Sequence, residues 1–154
     1  MTRPLSRTLW KSAVILPHLN VLVYAFRRDS PRHAEYRRWL EALVNAQAAY
    51  GIAPQVLASV IRISTHARIY AQPSALDEAI NFCRILLTPD TCTVVHPGDR
   101  HWDIFVDVCA KSGANGNLIQ DAWFAALAIE SGCEWVTTDR DYSRFPGLRW
   151  RTPF

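Results

Sequence analysis

Two patterns of apolar and polar positions alternate along this chain. Short apolar runs at residues 13–16, 49–53, 92–96 and 134–138 have the length of buried β-strands. Between them, apolar residues recur every three or four positions, the spacing of one face of a helix. A final run at residues 148–151 follows a Pro-Gly turn and is expected to be an edge strand.

The helical pattern recurs in every segment between the predicted strands. Helices are expected at residues 20–26, 33–47, 54–65, 74–87 and 99–111, and in a segment that contains Asp121 and ends at Gly132. Pro54 fits the first position of its helix, and Ser74 is expected to cap the next one. Asn117 with Gln120 resembles a capping box. Strands alternating with helices predict an α/β fold, a three-layer α/β/α sandwich with a mostly parallel central sheet.

Length and composition fit one globular domain. The 154 residues are 49% apolar and carry a formal net charge of +3, which allows a polyanionic partner without requiring one. We expect residues 1–12 to be an N-terminal extension and residues 13–154 to be a single domain. The longest apolar run, residues 13–26, is interrupted by polar residues and is too short to cross a bilayer, so no membrane association is expected.

The cysteines carry little functional signal. They form no CxxC pair, and no histidine lies at zinc-finger spacing from them. We interpret them as reduced, mostly buried thiols of a cytoplasmic protein, although spacing alone leaves disulfides open. The cysteines are Cys83, Cys92, Cys109 and Cys133.

Three aspartates are the most informative polar residues. Asp121 lies about one turn into an apolar helix, where the helix dipole favours its ionised form. Asp139 and Asp141 follow the fourth strand, and in an extended segment they would point the same way. Since ligands of parallel α/β sheets bind at the carboxyl ends of strands, the three should meet in one pocket, where oxygen ligands suit Mg²⁺ or Mn²⁺. The alternatives are a surface role for Asp121, and an arginine or turn-amide partner for Asp141.

Four further polar residues map to the same edge of the sheet. His18 ends the first strand; imidazole is a poor Mg²⁺ ligand but an acceptable one for Mn²⁺ or Zn²⁺, and a histidine that binds nothing is equally open. Asn20 is either a helix cap or a functional residue. The Thr138 hydroxyl could hold a phosphate or a metal-bound water. Ser59 lies in the helix after the second strand.

Together these segments resemble a PIN domain and, within that family, the VapC toxins of bacterial toxin–antitoxin pairs. The resemblance runs from about residue 16 to residue 150. It is carried by LPHLNVLVYA at 16–25, RIST at 62–65, GNLIQDA at 116–122, and VTTDRD at 136–141 with Phe145. No single segment is specific, but their order and spacing together are.

The resemblance implies a metal-dependent endoribonuclease that forms a homodimer and is blocked by a small antitoxin protein. By position, it implies that Asp121 and Asp139 hold Mg²⁺, with Mn²⁺ as the other candidate ion. It further implies that Asp141 is a supporting acid and that Asn20 and Thr138 orient the site. In such enzymes the ions activate a water and stabilise charge on the scissile phosphate.

The chain departs from the family pattern at two positions. The family's first-strand acid falls at His18, and its acid in the helix after the second strand falls at Ser59. The change at His18 removes a negative charge and is expected to weaken or abolish binding of a hard ion there. Two hypotheses follow: a ribonuclease toxin with reduced or Mn²⁺-biased activity, or an inactive protein that only binds an antitoxin or another partner. A phosphotransfer or phosphohydrolase domain is disfavoured, because the first strand ends without an acid.

Overall fold

The structure, a computed structural model, describes residues 14–154. The predicted extension at residues 1–12 and the first residue of the first predicted strand lie outside this range. The described chain contains five strands: β1 (Ile15–Pro17), β2 (Tyr50–Ile52), β3 (Cys92–Val94), β4 (Glu134–Val136) and β5 (Trp150–Arg151). They form one sheet in the order β3-β2-β1-β4-β5, and all four strand pairs are parallel. The prediction of β5 as an edge strand is confirmed.

Six α-helices connect these strands. They are α1 (Leu19–Phe26), α2 (His33–Asn45), α3 (Pro54–Ser64), α4 (Leu76–Leu87), α5 (His101–Ser112) and α6 (Asn117–Ser131). A short 3₁₀ helix, Arg140–Arg144, follows β4. Helix α1 contacts both α2 and α3, α3 contacts α4, and α5 packs against α6. The predicted three-layer α/β/α architecture is confirmed. No helix within residues 14–154 is long and apolar enough to span a membrane.

The core lies around the central strand β1. Leu16 of β1 pairs with Trp135 of β4, and both side chains are fully buried. Ala122 and Ala125 of α6 are also fully buried, which allows this helix to approach the sheet closely. Burying a side chain the size of Leu16 stabilises the fold by about 2 kcal/mol. The buried strand ends at this centre provide a rigid base for polar side chains. All four cysteines are free thiols, as expected.

The prediction that Ser74 caps α4 is wrong. Helix α4 begins at Leu76, and its N-cap residue, Ala75, offers no side-chain hydrogen bond. The Ser74 hydroxyl instead accepts a hydrogen bond of 3.0 Å from Nη1 of the buried Arg27. Arg27 also pairs with Asp29 at 2.6 Å. A contact between segments this far apart in sequence overrides the local capping signal.

The predicted capping box at the start of α6 is also wrong, whereas the predicted end of this helix is confirmed. Asn117 is the first helical residue, and the N-cap position belongs to Gly116, with φ of 55°. At the other end Gly132 adopts φ of 70°, and its N–H bonds to the carbonyl oxygen of Ala128. A left-handed glycine is the usual way to end a helix.

Candidate active site

Polar side chains meet where β1 and β4 end side by side. His18 directly follows β1, and its backbone N–H bonds to the carbonyl oxygen of Val136 at 2.9 Å, extending the strand pairing. The Thr137 hydroxyl oxygen, directly after β4, lies 2.9 Å from His18 Nδ1 and 3.3 Å from Asn20 Nδ2. It also accepts a hydrogen bond from the backbone N–H of Asp139 at 3.0 Å. The carboxyl ends of the two strands therefore hold one hydrogen-bonded cluster.

Thr137, which the sequence analysis missed, is the threonine at the centre of this cluster. Its side chain is fully buried, whereas the side chain of Thr138 is partly exposed. Thr138 contacts the cluster through its backbone N–H, 3.5 Å from Asn20 Oδ1. A threonine hydroxyl bonded to the N–H two residues later is a common turn motif, so a signal existed. That signal applied equally to Thr137 and Thr138, so it did not distinguish them.

His18 lies in an aromatic enclosure. Its ring centroid is 4.9 Å from that of Trp135, 5.3 Å from that of Tyr142 and 6.0 Å from that of Phe124. The residue is 9% exposed. Burial lowers the pKa of His18 to about 4, because an apolar environment disfavours the imidazolium form. His18 is therefore neutral at pH 7 and contributes no charge where the resemblance leads one to expect an acid.

Asp121 lies on the second turn of α6 and is half-buried. One of its carboxylate oxygens accepts a hydrogen bond of 3.2 Å from the Tyr142 hydroxyl. Burial raises the pKa of Asp121, the Tyr142 bond opposes that rise, and the charges of Asp139 and Asp141 add to it. This is the reverse of the direction that the helix dipole alone would give. The charges of Asp139 and Asp141 therefore reach Asp121, while the meeting of all three acids in one metal pocket stays a prediction.

The expectation that Asp139 and Asp141 point the same way assumed an extended segment, and the segment after β4 is not extended throughout. Asp139 is extended and caps the 3₁₀ helix, and its carboxylate accepts the backbone N–H of Asp141 at 2.9 Å. Asp141 lies inside that helix, where the alternation of an extended segment no longer holds. Its exposed carboxylate lies 3.8 Å from Arg144 Nε. Asp141 thus has the arginine partner that the sequence had left open.

Comparisons with known proteins identify the family of this chain. The PIN domain family model matches residues 19–148. The chain belongs to the PIN-domain family. The match includes all three acids and begins one residue after His18. The resemblance noted in the sequence is confirmed.

Several PIN-domain relatives cover most of the chain. The VapC ribonuclease Mb2897 of Mycobacterium bovis is 41% identical over 135 residues, which are 88% of this chain and 92% of the relative. Ribonuclease VapC31 of Mycobacterium tuberculosis is 35% identical over 134 residues, 87% of this chain and 94% of the relative. These relatives support the VapC-type assignment within the family.

Solved structures show the same fold at lower identity. VapBC2 from Rickettsia felis, bound to a DNA fragment from its promoter, matches with a TM-score of 0.66 and 18% identity, over 90% of this chain and 98% of that one. VapC20 of Mycobacterium tuberculosis, described as a toxin that cleaves the sarcin-ricin loop, matches with a TM-score of 0.63 and 14% identity, over 88% of this chain and 98% of that one. At such identities the likeness concerns the fold.

The donor set of this PIN domain is a sparse one for a metal ion. Within residues 14–154, no group of three or more His, Cys, Asp or Glu side chains is arranged to hold an ion. Asp121 and Asp139 remain as two carboxylates linked through Tyr142, which donates to Asp121 and lies in the 3₁₀ helix that Asp139 caps. Mg²⁺ often binds through only one or two protein carboxylates and completes its coordination with water and substrate phosphate. The residues present fit an ion of that weakly held kind.

Ser59, the other position where the chain departs from the family pattern, faces its own helix. Its hydroxyl donates to the carbonyl oxygen of Gln55 at 3.2 Å, one turn earlier in α3. The hydroxyl is therefore satisfied by a hydrogen bond within its own helix. The side chain supplies no charge to the acids.

A large groove on this PIN domain lies away from the acids. It has a volume of about 920 Å³ between the end of α1, α2 and α4. Apolar side chains including Phe26, Leu40 and Phe82 line it, and Arg28 lies at its edge. None of the three aspartates lines this groove. The groove is therefore separate from the predicted metal ligands.

Proposed function

We propose that this PIN-domain protein is a metal-dependent endoribonuclease, the toxin of a type II toxin–antitoxin pair, whose activity is weakened by His18. The proposal extends to this chain the activity named for its ribonuclease relatives, which match it over most of its length. The carrying observation is that Tyr142, which lies in the 3₁₀ helix capped by Asp139, donates a hydrogen bond to Asp121 at 3.2 Å and so links the two acids at the carboxyl ends of the central strands.

The roles of the residues follow from their contacts. Asp121 and Asp139 would hold Mg²⁺ or Mn²⁺, which when bound activates a water and stabilises charge on the scissile phosphate of RNA. Tyr142 orients Asp121 through its hydrogen bond. Asn20 contributes through its contacts with Thr137 and the Thr138 backbone. The Thr138 side chain orients a phosphate or a water at the same edge.

Asp141 acts as a supporting acid. Its charge adds to the negative potential at Asp121, which favours a cation near the pair. Its own carboxylate is exposed and shared with Arg144. We therefore assign it an electrostatic role at a distance from the ion.

The proposal includes partners and a location. Similar structures include a VapBC-1 complex from nontypeable Haemophilus influenzae, with a TM-score of 0.60. By extension, this chain would form a homodimer in the cytoplasm and bind a cognate antitoxin that blocks the acids. Co-expression with the candidate antitoxin, followed by light scattering of the complex and of the free protein, tests both associations.

The decisive experiment compares two aspartate variants in an RNA cleavage assay with Mg²⁺ and with Mn²⁺. D121N should lose more than about 100-fold of the activity, since even residues that only support a metal ligand are worth about 10- to 100-fold. D107N is the matched control, because Asp107 is an exposed residue of α5 paired with Lys111 at 2.9 Å. Equal activity in the two variants would refute the assignment.

A third variant, H18D, tests the reason given for weakened activity. It restores the first-strand acid and should raise cleavage in Mg²⁺ above that of the unmodified protein. If the H18D protein folds and is no more active, the missing charge at position 18 is not what limits the site.

A second candidate function is an inactive PIN-domain protein that only binds an antitoxin or another partner. The neutral, buried His18 and the absence of a three-ligand group in residues 14–154 favour it. It predicts no RNA cleavage in Mg²⁺ or Mn²⁺ and antitoxin affinity that D121N leaves unchanged. RNA cleavage that is lost in D121N would exclude it.

A further inference from the structure

The Thr137 hydroxyl has three polar neighbours, and only one assignment of donors and acceptors lets it bond to all of them. A hydroxyl donates one hydrogen bond and accepts two. Its three polar neighbours are His18 Nδ1 at 2.9 Å, Asn20 Nδ2 at 3.3 Å and the Asp139 backbone N–H at 3.0 Å. The direction of each bond therefore follows from counting donors.

Two of the three neighbours are donors. The backbone N–H of Asp139 can only donate. The amide of Asn20 is oriented by its oxygen, which accepts the backbone N–H of Val21 at 2.8 Å and lies 3.5 Å from that of Thr138. Its NH₂ group must therefore face Thr137. These two donors occupy both acceptor positions of the Thr137 hydroxyl.

The Thr137 proton is thus left for the third neighbour. It points at His18 Nδ1, which must carry a lone pair and no proton. A neutral imidazole with an unprotonated Nδ1 carries its proton on Nε2. In this tautomer one ring nitrogen is engaged with Thr137 and the other is protonated. His18 then has no lone pair left for a metal ion.

We propose that His18 is a positioning residue: it accepts the Thr137 hydroxyl proton, fixes that hydroxyl as the acceptor for Asp139, and does not ligate a metal. The part that concerns the ion rests on the proposed function. The aromatic enclosure of Trp135, Phe124 and Tyr142 suits this neutral ring. Like a carboxylate, the histidine offers a hydrogen-bond acceptor at this position, but the neutral ring carries no charge.

The first test reads the tautomer directly. Long-range ¹H–¹⁵N NMR on the full chain labelled with ¹⁵N-histidine distinguishes protonated from unprotonated ring nitrogens, and the signal missing from H18N assigns His18. At pH 7 we expect a neutral ring with its proton on Nε2, unchanged as Mg²⁺ is added. A proton on Nδ1, or loss of the Nε2 proton as Mg²⁺ is added, would overturn the proposal.

The second test uses two substitutions that separate an acceptor from a ligand. H18N places an amide oxygen one bond beyond Cγ, where Nδ1 stands, and so keeps an acceptor for Thr137. H18F keeps an aromatic ring but removes the acceptor. We expect the Asp139 amide signal and the Mn²⁺ affinity of H18N to stay within threefold of the unmodified protein, and H18F to shift the first and weaken the second by tenfold or more. Comparable loss of Mn²⁺ affinity in both variants would show that the imidazole itself binds the ion.

The two tests also separate this inference from the proposed function. If Mn²⁺ binding is the same in D121N and in the unmodified protein, the metal site is wrong, whereas the tautomer of His18 still decides its positioning role. If His18 proves to be protonated on Nδ1 while D121N abolishes Mn²⁺ binding, the positioning role is wrong and the metal site stands.

Discussion

The two sides of the candidate site differ in how their polar groups are satisfied. On one side, His18, Asn20 and Thr137 are neutral and satisfy one another. On the other, Asp121 and Asp139 are carboxyl groups that are partly exposed, and the charge of Asp139 contributes to the raised pKa of Asp121. The neutral side pairs His18 Nδ1, the Asn20 amide and the Thr137 hydroxyl within the chain. The acidic side keeps oxygen lone pairs and surplus charge, which a bound cation would neutralise.

We expect the largest effect from removing the Thr137 hydroxyl, to which the other polar groups of the neutral side bond. T137V keeps the shape of the side chain but leaves up to three polar neighbours without a partner. Each unsatisfied buried group costs about 1–3 kcal/mol, so we expect the free energy of unfolding to fall by about 4 kcal/mol. Urea denaturation of the purified protein measures this loss.

T138V is the matched control for this substitution. Thr138 is the adjacent residue of the same type, and its contact with the cluster is made by its backbone, which the substitution leaves in place. We expect a change within about 0.5 kcal/mol, typical of substitutions away from buried polar networks. Similar losses in the two variants would mean that Thr137 is not the centre of the cluster.

The sequence predicted the site's location better than its internal contacts. Alternation of strands with helices sufficed to bring Asp121 and Asp139 to one edge, because parallel strands end together. The choice between Thr137 and Thr138, and the bond from Tyr142, depend on where side chains point after β4. A 3₁₀ helix of five residues sets those directions, and no periodicity in so short a segment indicates it.

A second prediction concerns the pH dependence of stability on the neutral side. The pKa of His18 is lowered from 6.5 to about 4, so the unfolded chain binds a proton that the folded protein excludes. The contribution is fully present above pH 6.5 and is lost as the pH falls towards 4, amounting to about 3 kcal/mol. The difference in unfolding free energy between the unmodified protein and H18F, measured by urea denaturation from pH 7 to pH 4, should change by this amount. A constant difference would contradict it.

A third change touches the bond between Tyr142 and the acidic side. Y142F removes the hydroxyl that donates to Asp121, a bond worth about 1 kcal/mol for a half-exposed acceptor. Since this bond lowers the pKa of Asp121, its loss should raise that pKa further. As the pH is lowered, cleavage that needs ionised Asp121 would then be lost at a higher pH than in the unmodified protein. A pH profile of RNA cleavage measures this shift. Y36F, which changes a buried tyrosine whose ring centroid lies 4.9 Å from that of Phe154, should leave the profile in place.

The smallest expected effect has the opposite sign and distinguishes charge from contact. D141N removes a negative charge that raises the pKa of Asp121, so the acid limb of the cleavage profile should move slightly to lower pH. It also breaks the exposed pair with Arg144, which contributes only about 0–1 kcal/mol to stability. R144Q breaks the same pair but keeps the charge of Asp141, and it should leave the limb in place or move it upwards. If D141N and R144Q move the limb together, Asp141 acts through its pairing with Arg144 rather than through its charge on Asp121. The acidic side would then consist of Asp121 and Asp139 alone.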